Sequence, residues 1–424
     1  MVIATLVGGV FFYAVHIFAA KMPPDEYGVF NALLQVLNQM AIPAVGLQTI
    51  FVQQSAMADS ERHRRELTGA VRSVLKGTFI IWIVAVVLVL LFQKHILEVY
   101  KIKNPVALWA TLGLGLAALW TPVTTGLLQG QQNFLWLGIN SMLPALVRLV
   151  VIAVIVAVFG GYAAGATVGV LLSMGVGVTL GFWKTHYLWS GKADPFIWTP
   201  WLWRVLPLTL GLGATTFMFT WDMIAVQRFL SDTGLYGAAG MIGRALMFLV
   251  APMTAVMFPK IVQSAAKAER TDVLAQALGA TALLGCGAAL FCTFFAEFPL
   301  RMVQGEKYIA AAPLVPWFTW CMLPLTVSNV LANNLLARQR YAVVPWLVAV
   351  AGGYGITLWY ILKLKLFGVA QNTMIQNHKL VIQTLGIFST LFFLVCVWFT
   401  WRGSKTVAAD SKIPNRAAGA EVGP

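Results

Sequence analysis

Arg148 and Arg244 each interrupt a long apolar stretch of the sequence. An arginine at the centre of a membrane-spanning helix costs about 2.5–3.5 kcal/mol, so it must face a cavity, a polar partner or a carboxylate. A guanidinium in a water-poor cleft can hold a phosphate through paired hydrogen bonds. We therefore predict that Arg148 and Arg244 bind an anionic substrate.

Each arginine also has a structural explanation. Arg148 is as well explained by a polar packing partner, and its aligned position in the second half of the chain is Ile356. For Arg244 a structural ion pair with Asp222 is slightly favoured, because both lie within two helical turns of the same end of adjacent apolar stretches. The sequence alone leaves both alternatives open.

Asp222 and His16 are the candidates for ion coupling or gating. A carboxylate in a low-dielectric site can take up a proton or a cation. Histidine changes its charge near neutral pH, which would suit His16 to the same work. The competing interpretations are the ion pair for Asp222 and an ordinary hydrogen-bonded residue near a helix end for His16.

The elements that must position these residues are membrane-spanning helices. The 424 residues are 59% hydrophobic and 10% charged, with a mean hydropathy of +0.79, which excludes a water-soluble domain. Apolar runs of about 20 residues recur, and each is long enough to cross the hydrocarbon core. We predict twelve spans: 1–20, 28–51, 74–93, 106–128, 134–158, 162–182, 203–226, 237–262, 274–297, 309–336, 342–363 and 381–401.

Several other classes of protein are disfavoured. The first apolar run begins at Met1 without a basic lead or a cleavage site, so we predict a retained helix and no signal peptide. The four cysteines show no paired spacing, which argues against a disulfide framework and a zinc site. Gly191-Lys192 is followed by Ala193, so no phosphate-binding loop is present, and we expect no cofactor and no metal.

The net charge of +14 is explained by membrane topology, so we expect no nucleic-acid partner. Lysine and arginine are more numerous in the loops that share a side with the two termini, which predicts that both termini are cytoplasmic. The strongest contributor is the segment Glu61-Arg62-His63-Arg64-Arg65. It lies in a stretch without glycine or proline, 53–68, which could continue as a helix along the membrane surface. Such a basic segment can rest on anionic headgroups, but a solvated topology anchor is the favoured interpretation.

An internal repeat organises the chain. Tyr27-Gly28 aligns with Tyr236-Gly237, Pro43 with Pro252, and Gln54-Ser55-Ala56 with Gln263-Ser264-Ala265, all at one offset. Six spans separate the copies, and an even number gives both halves the same orientation in the membrane. The predicted fold is an all-α integral membrane protein with two six-helix bundles related by a parallel repeat, over 1–190 and 191–401. A disordered cytoplasmic tail is predicted for 402–424.

The segment Met22-Pro-Pro-Asp-Glu-Tyr27-Gly28-Val-Phe resembles the polysaccharide or oligosaccharide flippase family of the multidrug/oligosaccharidyl-lipid/polysaccharide exporter superfamily. Residues 222–230 and 234–239 are similar to the family's junction between spans seven and eight, and Phe258-Pro259 is similar to the end of span eight. The likeness covers about 1–401. It implies movement of a polyprenyl-pyrophosphate oligosaccharide from the cytoplasmic to the outer leaflet of a bacterial inner membrane. The implied partners are the bilayer and polysaccharide-assembly enzymes.

Two other functions compete with this interpretation. A drug or cation antiporter of the same superfamily would need carboxylates within the membrane, whereas this chain has arginines there and few acids. A membrane glycosyltransferase or polymerase would need paired carboxylates or a metal site. Asp25-Glu26 is the one adjacent acidic pair, and it suits the amino terminus of the helix that follows. We therefore expect a transporter and no enzyme.

Overall fold

A computed structural model of the chain describes residues 2–58, 60–246, 273–364 and 374–410. Over these residues the chain is helical, with 3-10 segments at Glu306–Leu314 and Tyr341–Val343. The α-helices are α1 Val2–Ala19, α2 Pro24–Met40, α3 Ile42–Ala56, α4 Glu61–Val99, α5 Pro105–Gly130, α6 Phe134–Ala157, α7 Tyr162–Trp189, α8 Trp198–Phe229, α9 233–246, α10 Val273–Phe294, α11 Glu297–Gln304, α12 Val315–Ala337, α13 Val344–Leu364 and α14 Met374–Asp410.

The described helices follow the predicted spans. Ten spans are long and apolar enough to cross a membrane, with α2 and α3 joined as one, and α1 adds a shorter apolar helix over Val7–Ala19. The second half of the predicted eighth span lies outside the described residues, together with Pro252, Phe258-Pro259 and the second Gln-Ser-Ala copy. Helix α14 continues to Asp410, past the predicted boundary of the tail, and 411–424 are also outside the described residues.

Local sequence signals set where several helices begin. The side chains of Ser60, Asn104 and Asn133 accept hydrogen bonds from backbone N–H groups in the first turns of α4, α5 and α6. Such caps satisfy donors that have no partner within the helix. Pro24 and Pro105 occupy the first position of α2 and α5, where the missing N–H costs nothing.

Two predicted elements differ from the structure. The second span is divided at Ala41 into α2 and α3, because Pro43 cannot donate the hydrogen bond that would continue the helix. The predicted surface helix over 53–68 is wrong, because the chain turns at Met57 and Ala58 and a new helix begins after Ser60. The basic cluster therefore forms the first turns of α4, which has 39 residues and a length of about 58 Å.

The packing of the helices repeats between the two halves. In the N-terminal bundle, α1–α7, helix α1 packs on α6 and α5 packs on both α4 and α7. In the C-terminal bundle, α8–α14, helix α8 packs on α13 and α12 packs on both α10 and α14. Each pair in one bundle corresponds to a pair six spans later. The two bundles contact one another mainly where α2 and α3 lie along α8.

Candidate functional site

Besides their contact along α8, the two bundles approach closely at one end of the molecule. This end, called here the latch end, contains 20–24, 100–104, 230–232 and 305–307. There α2 crosses α9. A Cβ atom at Gly28 would lie 2.9 Å from the backbone nitrogen of Gly234, and one at Gly237 would lie 2.9 Å from Asn31 Nδ2. Glycine is needed at both positions because any side chain would push the helices apart. The repeated Tyr-Gly motif thus marks a contact between the bundles.

Two lysines link the bundles at the latch end in matching ways. Lys101, in the connection between α4 and α5, donates a hydrogen bond to the Leu230 carbonyl at the end of α8, with an Nζ–O distance of 2.6 Å. Lys307, in the equivalent connection of the C-terminal bundle, donates to the Met22 carbonyl just after α1. Each bundle therefore caps the end of the other bundle's first helix, where unpaired carbonyls carry partial negative charge.

His16 belongs to a polar network at the same end. Its Nδ1 lies 3.0 Å from the hydroxyl of Tyr27, and both side chains are buried. Gln304 of the C-terminal bundle donates to the Tyr27 hydroxyl at 3.4 Å and to the Ala238 carbonyl at 3.1 Å. The ring of Tyr308 lies 5.3 Å from that of Tyr27, between their centroids. His16 thus supports a tyrosine that is shared by the two bundles.

Asp222 and Arg244 form the predicted ion pair. Arg244 Nη2 donates to both carboxylate oxygens of Asp222, at 2.7 and 2.6 Å, and Nε donates to the Phe219 carbonyl at 3.1 Å. The Tyr236 hydroxyl donates to Asp222 at 2.7 Å. Both side chains are buried, with 6% of Arg244 and none of Asp222 exposed. Since Phe318 also lies against the guanidinium, the pair occupies a packed site within the C-terminal bundle.

Arg148 lies on α6 of the N-terminal bundle. Its Nε donates a hydrogen bond to the Ser173 hydroxyl on α7 at 3.3 Å. The two predicted substrate arginines therefore lie in different bundles. Arg244 donates to a carboxylate, and Arg148 lies on a helix that also bears Asn140, two turns earlier.

A cavity of about 430 Å³, called here the N-lobe cavity, opens among α3, α5, α6 and α7. Its lining residues in the described part of the chain carry no charge. The Gln48 amide donates to the side-chain oxygen of Gln129 at 3.1 Å. Asn140 is buried, and neither its amide nitrogen nor its oxygen has a hydrogen-bond partner among the described residues. The polar lining residues are Gln48, Thr121, Thr125, Gln129, Asn140 and Ser141.

An unpaired buried amide costs free energy unless a ligand or water completes its hydrogen bonds. The N-lobe cavity therefore offers amide and hydroxyl groups to a neutral polar ligand. Arg148 lies on the same helix as Asn140, eight residues later, which is about 12 Å along the helix axis. Asn140, Gln48 and Gln129 belong to no motif or spacing that marks them as functional in the sequence. Their one signal is the presence of amide side chains within predicted spans.

Within the described ranges, no three His, Cys, Asp or Glu side chains come close enough to hold a metal ion. Two acidic residues lie beside Lys103. The distance from Lys103 Nζ is 2.5 Å to Asp25 Oδ2 and 3.7 Å to Glu26 Oε1. The hydrogen bond and the charge of Asp25 raise the pKa of Lys103 and keep the lysine protonated. Glu26 also accepts a hydrogen bond from the Ala163 N–H at 3.3 Å. This acidic pair thus links α2 to its neighbours.

The sequence matches no protein-family model and no curated protein sequence. The fold, however, is similar to solved structures of transporters. An inward-facing multidrug resistance MATE family transporter of the MOP superfamily gives a TM-score of 0.70 at 14% identity, covering 96% of this chain and 96% of that chain. An outward-facing multidrug resistance MATE family transporter of the MOP superfamily gives a TM-score of 0.64 at 14% identity. The match covers 97% of this chain and 96% of that chain.

A third similar structure is a MOP superfamily transporter from Pyrococcus furiosus, with a TM-score of 0.61 and 13% identity, covering 97% of this chain and 95% of that chain. Its description states that a reversed polarity of the binding pocket suggests a different function for that protein. At these identities the likeness establishes the fold of two related bundles.

Proposed function

We propose that the chain is an alternating-access transporter that moves a lipid-linked oligosaccharide or polysaccharide precursor from the cytoplasmic to the outer leaflet. The observation that carries this proposal is the N-lobe cavity, which is lined by uncharged amide and hydroxyl groups. Two of these, on Asn140 and Ser141, lie on the same helix as Arg148. Sugar hydroxyls both donate and accept hydrogen bonds, so they suit amide groups such as that of Asn140. The phosphate of the same substrate suits a guanidinium.

The alternating movement is supported by the nature of the contacts between the bundles. The latch end is held by single hydrogen bonds and by close glycine crossings, which can separate without unfolding either bundle. The N-lobe cavity lies near the other end, since Gln129 and Leu137 flank the short connection between α5 and α6. With both termini in the cytoplasm, the N-lobe cavity would lie toward the cytoplasmic leaflet and the latch end toward the outer leaflet.

The rival proposal is an ion-coupled multidrug or cation antiporter. It is favoured by the MATE transporters among the similar folds and by the presence of Asp222 within a span. Against it, both oxygens of Asp222 are engaged by Arg244, so this carboxylate does not offer a net negative charge to a cation. A MOP superfamily fold with a pocket of reversed polarity is also described, so the fold is compatible with an anionic substrate.

Location and partners follow from the proposed substrate. A transporter of lipid-linked sugars would work in a bacterial inner membrane, next to the polysaccharide-assembly enzymes that use the sugar chain. We propose no catalytic residue. Because the sequence has no phosphate-binding loop, an ion gradient, the membrane potential or downhill flow would drive the movement.

The proposal is tested by translocation of an enzymatically trapped undecaprenyl-pyrophosphate oligosaccharide in proteoliposomes. Replacement of Arg148 by alanine should reduce transfer by about tenfold or more, the loss of one charged hydrogen bond, and Arg148→Lys should reduce it less. The control is Arg204→Ala, which removes the same charge from an exposed position on α8. If no lipid-linked sugar is moved and organic cations are exported instead, the antiporter is correct.

A further inference from the structure

A second cavity, apolar and separate from the N-lobe cavity, lies between α4 on one side and α2, α5 and α8 on the other. Its volume is about 450 Å³, within the range of cavities that hold small ligands. We call it the lateral cavity. Its walls are almost entirely hydrocarbon, and the polar groups among its lining side chains are those of Tyr100, Thr111 and Gln227. The apolar lining residues include Val29, Met40, Ala85, Val89 and Ile224.

The cavity exists because α4 leaves the rest of the bundle along part of its length. Trp82 ties α4 to α5 through a hydrogen bond from its indole N–H to the Leu112 carbonyl, at 2.8 Å. Beyond this point Ala85 and Val89, one turn apart, turn toward the cavity, while Leu88 lies on the exposed side of the helix. An apolar space of this kind does not hold ordered water, so hydrocarbon is the occupant that its walls favour.

The length of the cavity matches one leaflet of a bilayer. Both Val29 and Met40 line it, and eleven residues of helix rise by about 16 Å. This is about half of a hydrocarbon core of roughly 30 Å. A phospholipid chain extends over one leaflet, so the cavity fits such a chain end to end.

The open end of the cavity meets a charged recess. Val29 and Gln227 line both spaces, and the recess of about 310 Å³ contains Lys101, Lys103, Asp25, Glu26 and Asp232. Lys103 is paired with Asp25 and Glu26, and Lys101 donates to the Leu230 carbonyl. An ammonium group has three donors, so the remaining N–H groups of the two lysines suit a phosphate, and the carboxylate of Asp232 suits an ammonium group. Asp232 is exposed, and its carboxylate forms no ion pair in the described part of the chain. The recess therefore complements a headgroup that carries both charges.

From this geometry we propose that the lateral cavity binds one phospholipid with a primary-amine headgroup, its acyl chain between α4 and α8 and its headgroup in the charged recess. A primary ammonium can donate hydrogen bonds to carboxylates, whereas a quaternary ammonium cannot, and a glycerol headgroup lacks the positive charge. The inference is independent of the proposed substrate, because none of the lateral cavity's lining residues belongs to the N-lobe cavity.

The bound lipid would stabilise contact between the two bundles. Ile224 and Gln227 come from the C-terminal bundle, and the other lining residues come from the N-terminal bundle. Gln227 also donates a hydrogen bond to the carbonyl of Tyr100, another lining residue, at 3.1 Å. An acyl chain in this place therefore packs across the junction that must open when the bundles move apart.

The test is native mass spectrometry of the full-length protein released from nanodiscs that contain equal amounts of phosphatidylethanolamine and phosphatidylglycerol. The wild type should retain about one phosphatidylethanolamine per chain. Val89→Trp, which fills the cavity, should lower this retention by about tenfold, and Ala85→Leu should lower it less. The matched control, Leu88→Trp, places the same side chain on the exposed face of α4 and should retain the lipid.

The headgroup is tested separately with Asp232→Asn, which should reduce the preference for phosphatidylethanolamine over phosphatidylglycerol. Equal lipid retention by the Val89→Trp and Leu88→Trp variants would overturn the cavity assignment. Equal retention of both lipids by the wild type would overturn the headgroup assignment. Binding of an added polyprenyl-linked oligosaccharide by the wild type in place of the phospholipid, and loss of that binding in Val89→Trp, would assign the cavity to the transported substrate and overturn the proposal. Thermal unfolding of each variant in detergent shows whether it is folded.

Discussion

Asn140 and Arg148 lie on one face of α6 and differ in their hydrogen bonding. The Asn140 amide is buried without a hydrogen-bond partner among the described residues, which costs stability in the unliganded protein. Arg148 has a partner in Ser173 and carries a charge that lipid would not tolerate. Side chains that reduce stability where they stand are expected at binding sites.

Asn140→Leu should therefore separate stability from function. The variant should unfold at an equal or higher temperature, because an unsatisfied amide is replaced by a hydrocarbon of similar size. Its transport of a lipid-linked sugar should fall, since the cavity loses one donor and one acceptor. Thermal unfolding and the proteoliposome assay measure the two effects. A loss of stability with unchanged transport would show that Asn140 has a structural role instead.

Asp222 and Arg244 should behave as a structural pair. Replacement of either residue alone, as in Asp222→Asn or Arg244→Met, leaves a buried charge without its partner and should cost about 3–5 kcal/mol. The double variant should lose less stability than the sum of the two single variants. Unfolding in detergent measures both effects. If Asp222→Asn keeps its stability but loses ion-dependent transport, the carboxylate is a coupling site.

At the scale of elements, the segment that joins the two bundles is fixed to the long helix α4. The Asp194 N–H donates to the Arg65 carbonyl at 3.2 Å, and Arg72 donates to the carbonyls of Trp189 and Gly191, both at 3.0 Å. These bonds cap the end of α7, where a cation also interacts favourably with the helix dipole. Arg72, in the N-terminal part of α4, therefore has a defined structural role.

Gly69 allows this segment to approach α4. A Cβ atom at Gly69 would collide with the backbone of Asp194, so Gly69→Ala should displace the joining segment and lower the unfolding temperature. Gly175→Ala on α7 is the control, because no atom lies within 4 Å of a Cβ there. That variant should gain about 0.5–1 kcal/mol from reduced backbone entropy. Similar unfolding temperatures for both variants would contradict the assigned contact.

At the scale of the whole molecule, the proposed transport cycle assigns the latch end a role in the balance between two arrangements of the bundles. The two lysine bonds, Lys101 to Leu230 and Lys307 to Met22, join the bundles at equivalent positions. The Gly28 and Gly237 crossings allow this end to close tightly. A transporter that alternates must break these contacts in each cycle, so their strength should affect the populations of the two states.

The variant Lys101→Met with Lys307→Met should shift this balance toward an open latch end. Each lost bond contributes about 1 kcal/mol, and the two together change the ratio of the states by about tenfold or more. Distances between spin labels placed on the two bundles at the latch end measure the shift. Lys103→Met is the matched control, because its partners Asp25 and Glu26 lie in the same bundle. An unchanged distance distribution in the double variant would contradict the latch.

The sequence by itself determined the features that depend on local patterns. Apolar length gave the membrane spans, the repeated Tyr-Gly motif gave the two parallel bundles, and helix periodicity brought Asp222 and Arg244 to the same end of adjacent helices. Hydropathy and helix periodicity depend on residues that are near one another in the chain, so both can be determined from the sequence alone. The cost of an arginine in lipid also indicated that Arg148 has a polar neighbour.

Only the tertiary structure decided which residues meet across the bundles. The lysine bonds of the latch end, the unpaired amide of Asn140 and the lateral cavity each join segments that are far apart in the chain. The ends of the helices also differ from the predicted boundaries where a turn interrupts the chain, as at Ala41 and Ser60. Cavities and contacts between bundles depend on distances between helices, and those distances are set by packing that no local pattern encodes.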